Sequence, residues 1–292
     1  MAFGVLKEIR HAISNLNPDD VRKEASYPVR IRLVASTPEM YGQMETFFCP
    51  MDLSPRRRAE VSRRILRGGT PRPDDGGVAD FEIWEEALLQ PESAFPYSPM
   101  NPGYCVSKIL EARPALRLPL ARTFPPFRQP AITQMIQTVA KENAFFSLAT
   151  ALGDVIPSIA SVPWSVAEYA SDTAVLTANQ IRLAFLVAAA SDHEIGYGKQ
   201  RAEIGSIVAG AFGWRAVARE LVGKIPFGGG LIPKAAIAYA GTYMVGASLE
   251  RVYRFGYGYT APERKAAYEA AYERGKEIAK GLIHWQKQTA IR

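Results

Sequence analysis

The turn after Val34 is the first place to look for chemistry, because an aliphatic strand, a tight turn and a helix start are what a phosphate-binding loop requires. Val29–Val34 alternates and then runs aliphatic, and Ser36-Thr37-Pro38-Glu39 reads as a helix N-terminus. In the motif G-x-x-x-x-G-K-[ST], backbone N–H groups hold phosphate, the lysine adds charge and the hydroxyl reaches Mg²⁺. Aligned on Gly42, Thr37 stands at the first glycine, Gln43 at the lysine and Met44 at the hydroxyl, so one of four defining positions matches. No Asn-Lys-x-Asp guanine reader follows. An active nucleotide hydrolase is not expected.

Other combinations point to structural roles. His193 lies between Asp192 and Glu194, a pairing that suits a general base or a metal ligand, but His11 and His284 are near the chain ends and a surface turn is the expected reading. Gly196-Tyr197-Gly198 meets Arg201 where a dinucleotide fingerprint needs its third glycine and has no strand before it, so it reads as a helix–helix turn. Gly228-Gly229-Gly230 could present backbone donors to an anion, though a hinge between apolar helices is the commoner use. Asp154 and Asp172 interrupt apolar segments and are expected to pair with Arg182, Arg215 or Arg219 or to lie at helix ends. No catalytic residue, cofactor or metal site is assigned.

Charge is more informative. The net charge is +6, and Arg56, Arg57, Arg58, Arg63, Arg64, Arg67 and Arg72 fall in one stretch whose single acidic residue is Glu60. Arg215, Arg219 and Lys224 form a second basic stripe beside Val217, Leu221 and Val222. These residues are the candidate contacts with an anionic membrane surface or another protein subunit. Ala235, Ala236, Ala238, Ala240, Gly241, Gly246 and Ala247 would let helices approach closely, with Gly241 and Gly246 as the packing positions.

These residues need elements to position them, and 292 residues with 48% apolar content suffice for a substantial core. Cys49 and Cys105 lack metal-ligand spacing and are expected to be buried small hydrophobes. The opening residues do not read as a secretory signal, so a reducing, cytosolic setting is expected. The longest uncharged run, between Lys234 and Glu250, has 15 residues, fewer than the ~20 of a spanning helix, so a simple transmembrane span is disfavoured.

The pattern predicts an amphipathic helix over Phe3–Leu16, a strand over Val29–Val34 with a helix after it, a loop over Gly68–Gly77 and a second strand over Ala79–Trp84. Prolines from Pro91 to Pro130 predict an irregular connector around one short element near Val106–Leu110. From Ala131 the period is helical, in segments Ala131–Gly153, Val162–Ala190, Lys199–Phe212, Trp214–Gly223, Pro233–Phe255 and Pro262–Thr289. The expected class is α+β to mainly α: a small degenerate α/β head over 1–128 and an all-helical module over 129–292 ending in a charged helix.

Asn179-Gln180-Ile181 opening an apolar helix, then Arg215-Ala-Val-Ala-Arg219-Glu-Leu221, Lys224-Ile-Pro226-Phe-Gly228-Gly-Gly230 and Ala240-Gly241-Thr242-Tyr-Met-Val-Gly246, in that order, resemble the YcjF-like family of uncharacterised bacterial proteins. The resemblance covers about Asn143–Phe255. It implies a helical module of the kind found behind Era-like or dynamin-like GTPase domains, association with the inner membrane, and no catalytic residues to carry over. The head then looks like a reduced, nucleotide-free relic of such a domain.

The expected function is a non-enzymatic, membrane-proximal scaffold or interaction subunit, cytoplasmic and peripheral to the inner membrane, able to form oligomers. Nucleic acid is disfavoured as a partner. The alternatives are a divergent nucleotide-binding protein holding phosphate on backbone groups near Ser36–Gly42, and a soluble accessory subunit of a larger complex.

Overall fold

A computed structural model describes residues 2–68, 77–152, 172–210 and 230–289. The protein is mainly helical with one small parallel sheet, an α+β to mainly α architecture. In chain order the elements are α1 Ala2–Ser14, α2 Pro18–Ala25, β1 Ile31–Val34, α3 Pro38–Phe48, α4 Pro55–Ser62, β2 Ile65–Gly68, β3 Phe81–Glu85 and β4 Phe95–Tyr97. There follow α5 Pro102–Ala112, a 3₁₀ turn Pro114–Leu116, α6 Arg117–Thr123, α7 Pro125–Leu152 and α8 Asp172–Ala190. Helix α9 spans 201–210, α10 is Leu231–Phe255 and α11 is Ala261–Thr289.

Two compact units are present, and they do not follow a single cut at residue 128. One comprises Arg22–Ile132 with Ala189–His193, and the other comprises Met1–Val21, Thr133–Ala188 and Glu194–Arg292. The opening helix therefore belongs with the helical unit, where Ile9 and Ala12 pack on Ala174 and Ala178. The Tyr197 hydroxyl lies 2.6 Å from the carbonyl oxygens of both Ile13 and Leu16 and ties down the end of α1.

In the head the strand order is β2-β1-β3-β4, all parallel, with Ile31 opposite Ile65 and Phe81, and Ile83 opposite Phe95. The sheet's apolar residues Ile31, Leu33 and Ile83 are fully buried, as are Met44 and Phe48 of α3. Phe48 also stacks on Phe127 at 5.9 Å and meets Phe124 edge-on at 6.5 Å. The connector expected to be irregular is largely helical, because several of its prolines occupy first helical turns, where a missing N–H costs no intrahelical bond. Pro102, Pro114 and Pro125 begin α5, the 3₁₀ turn and α7. Pro119 is the third residue of α6, and Pro130 lies inside α7.

The helical unit is built on α7, α8, α10 and α11. Ala140, Ala144 and Leu148 of α7 meet Ala235 and Tyr239 of α10 and Ala279 of α11. A second cluster joins Ala240 and Met244 to Tyr268 and Ala271. Small residues bring the backbones together, and Tyr239 fills the space they leave.

Candidate functional site

The β1–α3 turn lies where the strand order reverses, with β2 on one side of β1 and β3 on the other, the usual ligand position of an open parallel sheet. Here the protein fills that position itself. Oε2 of Glu85, at the end of β3, accepts hydrogen bonds from both the backbone N–H and the hydroxyl of Ser36, each at 2.7 Å. Glu85 is buried, so the carboxylate sits where a bound anion would, among donors it satisfies.

The rest of the turn is committed to the helix. Thr37 caps α3, its Oγ1 accepting the Met40 N–H at 3.2 Å, and the Tyr41 N–H donates to the Thr37 carbonyl at 3.0 Å. A Cβ at Gly42 would meet nothing within 4 Å, so that glycine makes no close approach. Gln43 is exposed, while Met44 is part of the core and cannot serve as an Mg²⁺ ligand.

The arginine stretch divides into two sets. Arg56, Arg58 and Arg63 are exposed, whereas Arg57, Arg64 and Arg67 are partly buried. The Arg57 guanidinium binds Glu60 at 2.8 Å, lies 3.5 Å from the Asp192 carboxylate and donates to the Arg122 carbonyl. Arg122 reaches the other Asp192 oxygen, also at 3.5 Å. Arg67 lies 4.2 Å over the Tyr41 ring, and Arg64 reaches the Pro28 carbonyl at 3.5 Å. The stretch is therefore not one uniform contact face: Arg57 is an internal tie, and the outward cations are Arg56, Arg58 and Arg63.

Asp192 owes its position to the end of α8, where it adopts a left-handed backbone (φ 64). That conformation is tolerated by a short polar residue. Its two arginine partners give the acidic residue beside His193 a structural role. Arg128 in the same unit has its guanidinium pushed down by burial, an effect opposed by Asp192. Glu194 is drawn below the usual carboxylate range by its hydrogen bond from Lys199. The Gly196 turn is closed by buried Gln200, whose side chain accepts from the Gly196 N–H at 2.9 Å and donates to the Glu194 carbonyl at 2.8 Å. Among the described residues, no group of three His, Cys, Asp or Glu is placed to hold a metal ion.

Asp154, Arg215, Arg219, Lys224, Gly228 and Gly229 lie outside the described residues, as does Arg72. Arg182 has Glu142 as its acidic neighbour at 3.9 Å. Cys49 and Cys105 are free and buried, and burial pushes the Cys105 thiol up to about 12.

The two packing glycines differ. A Cβ at Gly246 would fall 2.6 Å from Cγ1 of Ile136 and 2.9 Å from Cδ2 of Leu183, whereas at Gly241 it would meet nothing within 4 Å. Gly241 is buried but is not a contact point. The second close approach is at Gly275, where a Cβ would lie 2.9 Å from the Ala236 carbonyl oxygen and 3.0 Å from its Cα.

Sequence patterns also passed over a buried polar network in the helical unit. Asn143 Nδ2 donates to Thr242 Oγ1 at 2.7 Å, Asn179 Nδ2 donates to Asn143 Oδ1 at 2.7 Å, and Gln180 Nε2 donates to Thr242 Oγ1 at 3.2 Å. The available signal was four uncharged polar residues within apolar helices, which must find partners if buried. Among the described residues, one helical stretch, Thr173–Ala190, is long and apolar enough to cross a membrane by length and composition, with a mean hydropathy of 1.4. Of these residues, 83% are buried within the protein.

No family model matches the chain, and no curated protein and no solved structure matches it.

Proposed function

We propose that the protein is a non-enzymatic, membrane-proximal scaffold or interaction subunit, cytoplasmic and peripheral to the inner membrane, in which the α/β head is a nucleotide-free relic. The observation that carries this reading is the Ser36–Glu85 contact: the fold's usual anion position is occupied by the protein's own carboxylate. A phosphate entering there would have to displace Glu85 and lie against its charge, with no lysine at Gln43 to compensate. Arg56, Arg58 and Arg63 are then outward cations that the head offers an anionic partner. The YcjF-like resemblance of Asn143–Phe255 supports the same assignment.

The alternative of phosphate held by backbone groups near Ser36–Gly42 is disfavoured because the N–H groups of Ser36, Met40 and Tyr41 already have acceptors. An accessory subunit whose apolar helices require partner chains is disfavoured by the internal cover on Thr173–Ala190. Calorimetric titration with GTP and ATP in Mg²⁺, paired with vesicle flotation, tests the reading. It expects no nucleotide heat and salt-sensitive recovery on anionic vesicles. Low-micromolar, Mg²⁺-dependent GTP binding would overturn the nucleotide-free head. A protein that stays in the aqueous fraction with every vesicle would overturn the membrane-proximal part.

A further inference from the structure

The turn between α10 and α11 gathers aromatic rings and guanidinium groups on the outside of the helical unit. Val252, Phe255 and Tyr257 are 42%, 49% and 60% exposed. Helix α10 ends at Gly256 with φ 80, a left-handed cap that glycine adopts freely, and its N–H donates to the Val252 carbonyl at 2.8 Å. On either side of that glycine, the Phe255 and Tyr257 rings stack at 6.0 Å.

Arginines line the same turn. The Arg254 guanidinium lies 4.8 Å from the Phe255 ring, and Arg251 faces Tyr257 at 5.4 Å and Tyr259 at 4.6 Å. The far side is fixed by the start of α11, where the Thr260 N–H and hydroxyl both donate to Glu263 Oε2 at 2.9 Å and Arg251 binds Glu263 Oε1 at 3.1 Å. The rings are therefore held in place while much of their surface faces outward.

From Glu250 to Lys265 the chain carries four basic side chains, Arg251, Arg254, Arg264 and Lys265, against two acidic ones, Glu250 and Glu263. Positive surplus with exposed rings fits one kind of surface well. Rings of this type settle at the boundary between acyl chains and headgroups, and neighbouring cations meet lipid phosphates. Arg254 lies 3.6 Å from Glu250 and Arg251 pairs with Glu263, so the positive surplus falls to the exposed Arg264 and Lys265.

We infer that the α10–α11 turn docks on the headgroup layer of an anionic bilayer, with Phe255 and Tyr257 entering the interface and the exposed Arg264 and Lys265 facing its phosphates. The inference rests on the membrane-proximal reading and supplies its contact point.

The test uses the full chain with Phe255→Cys labelled by an environment-sensitive dye. Cys49 and Cys105 are buried, so the introduced thiol takes the label under native conditions. Vesicles of phosphatidylcholine alone are compared with vesicles that also contain phosphatidylglycerol. The expected result is a blue-shifted, stronger emission with the anionic vesicles only, reversed by salt. Phe255→Ser/Tyr257→Ser should lower wild-type recovery in flotation by about tenfold or more with an unchanged melting temperature. If wild type floats but the double variant floats equally, or the dye does not respond, the inference is wrong and the membrane-proximal reading stands. If wild type never floats, both fall. A dye response to oligothymidylate without one to vesicles would reassign the turn to single-stranded nucleic acid.

Discussion

Replacing Gly275 by alanine isolates the contact on which the α10–α11 pair closes. An alanine in a helix interior is intrinsically better than glycine by about 1 kcal/mol, so an unobstructed site should gain stability. At Gly275 the new Cβ would stand 2.9 Å and 3.0 Å from backbone atoms of Ala236, which cannot rotate away, and 3.1 Å from Cβ of Tyr239. Overpacking of this kind costs roughly 1–3 kcal/mol, enough to reverse the gain and leave the variant less stable by about 1–2 kcal/mol. Gly246→Ala presses on side-chain atoms of Ile136 and Leu183 and should lose less. Gly241→Ala meets nothing and should gain up to about 1 kcal/mol. Thermal unfolding followed by circular dichroism should therefore rank Gly241→Ala above wild type, then Gly246→Ala, then Gly275→Ala, separated by roughly 2–4 °C per kcal/mol. A Gly275→Ala protein that melts at or above wild type would refute the close backbone approach and the packing argument built on it.

Arg57→Glu should destabilise the head by roughly 1–3 kcal/mol, because it sets a carboxylate beside Asp192 and Glu60, while exposed Arg56→Glu should stay within about 0.5 kcal/mol in denaturant midpoints. Equal midpoints would remove the Asp192 tie. Thr242→Val leaves the Asn143 and Gln180 donors without their shared acceptor and should cost roughly 1–3 kcal/mol, with a non-zero coupling to Asn143→Leu in a double-mutant cycle. Strict additivity would mean the network is not formed. Alkali should also weaken the fold. Burial raises the Cys105 thiol from its ordinary 9.0 to about 12, so its contribution is fully present below pH ~9 and is lost as pH rises toward 12, by about 1.4 kcal/mol per pH unit. Tyr268, raised by burial to about 12, acts in the same direction from its ordinary 10.0. Cys105→Ala should flatten the first part of the decline in stability between pH 9 and 12, and an unchanged slope would contradict the buried neutral thiol.

By itself the sequence determined the elements whose signals are local. Thr37-Pro38 marks the start of α3 through a cap and a first-turn proline, β1 shows in an aliphatic run, and the long helices show in their period. Strands β2 and β4 are 4 and 3 residues long, too short to display a period, and first-turn prolines in the Pro91–Pro130 segment concealed helices. Tertiary structure decided which members of a uniform set do what. Arg56 and Arg57 are adjacent in sequence but point about 100° apart on a helix. The Arg122 carbonyl and the return of Asp192 at the end of α8 make Arg57 internal. Gly241 and Gly246 look equivalent until Ile136 and Leu183 approach one of them, and Gly275 matters only once the Ala236 backbone lies against it. Glu85 answers Ser36 across 49 residues because β1 and β3 are neighbours in the sheet, a pairing that no local propensity encodes.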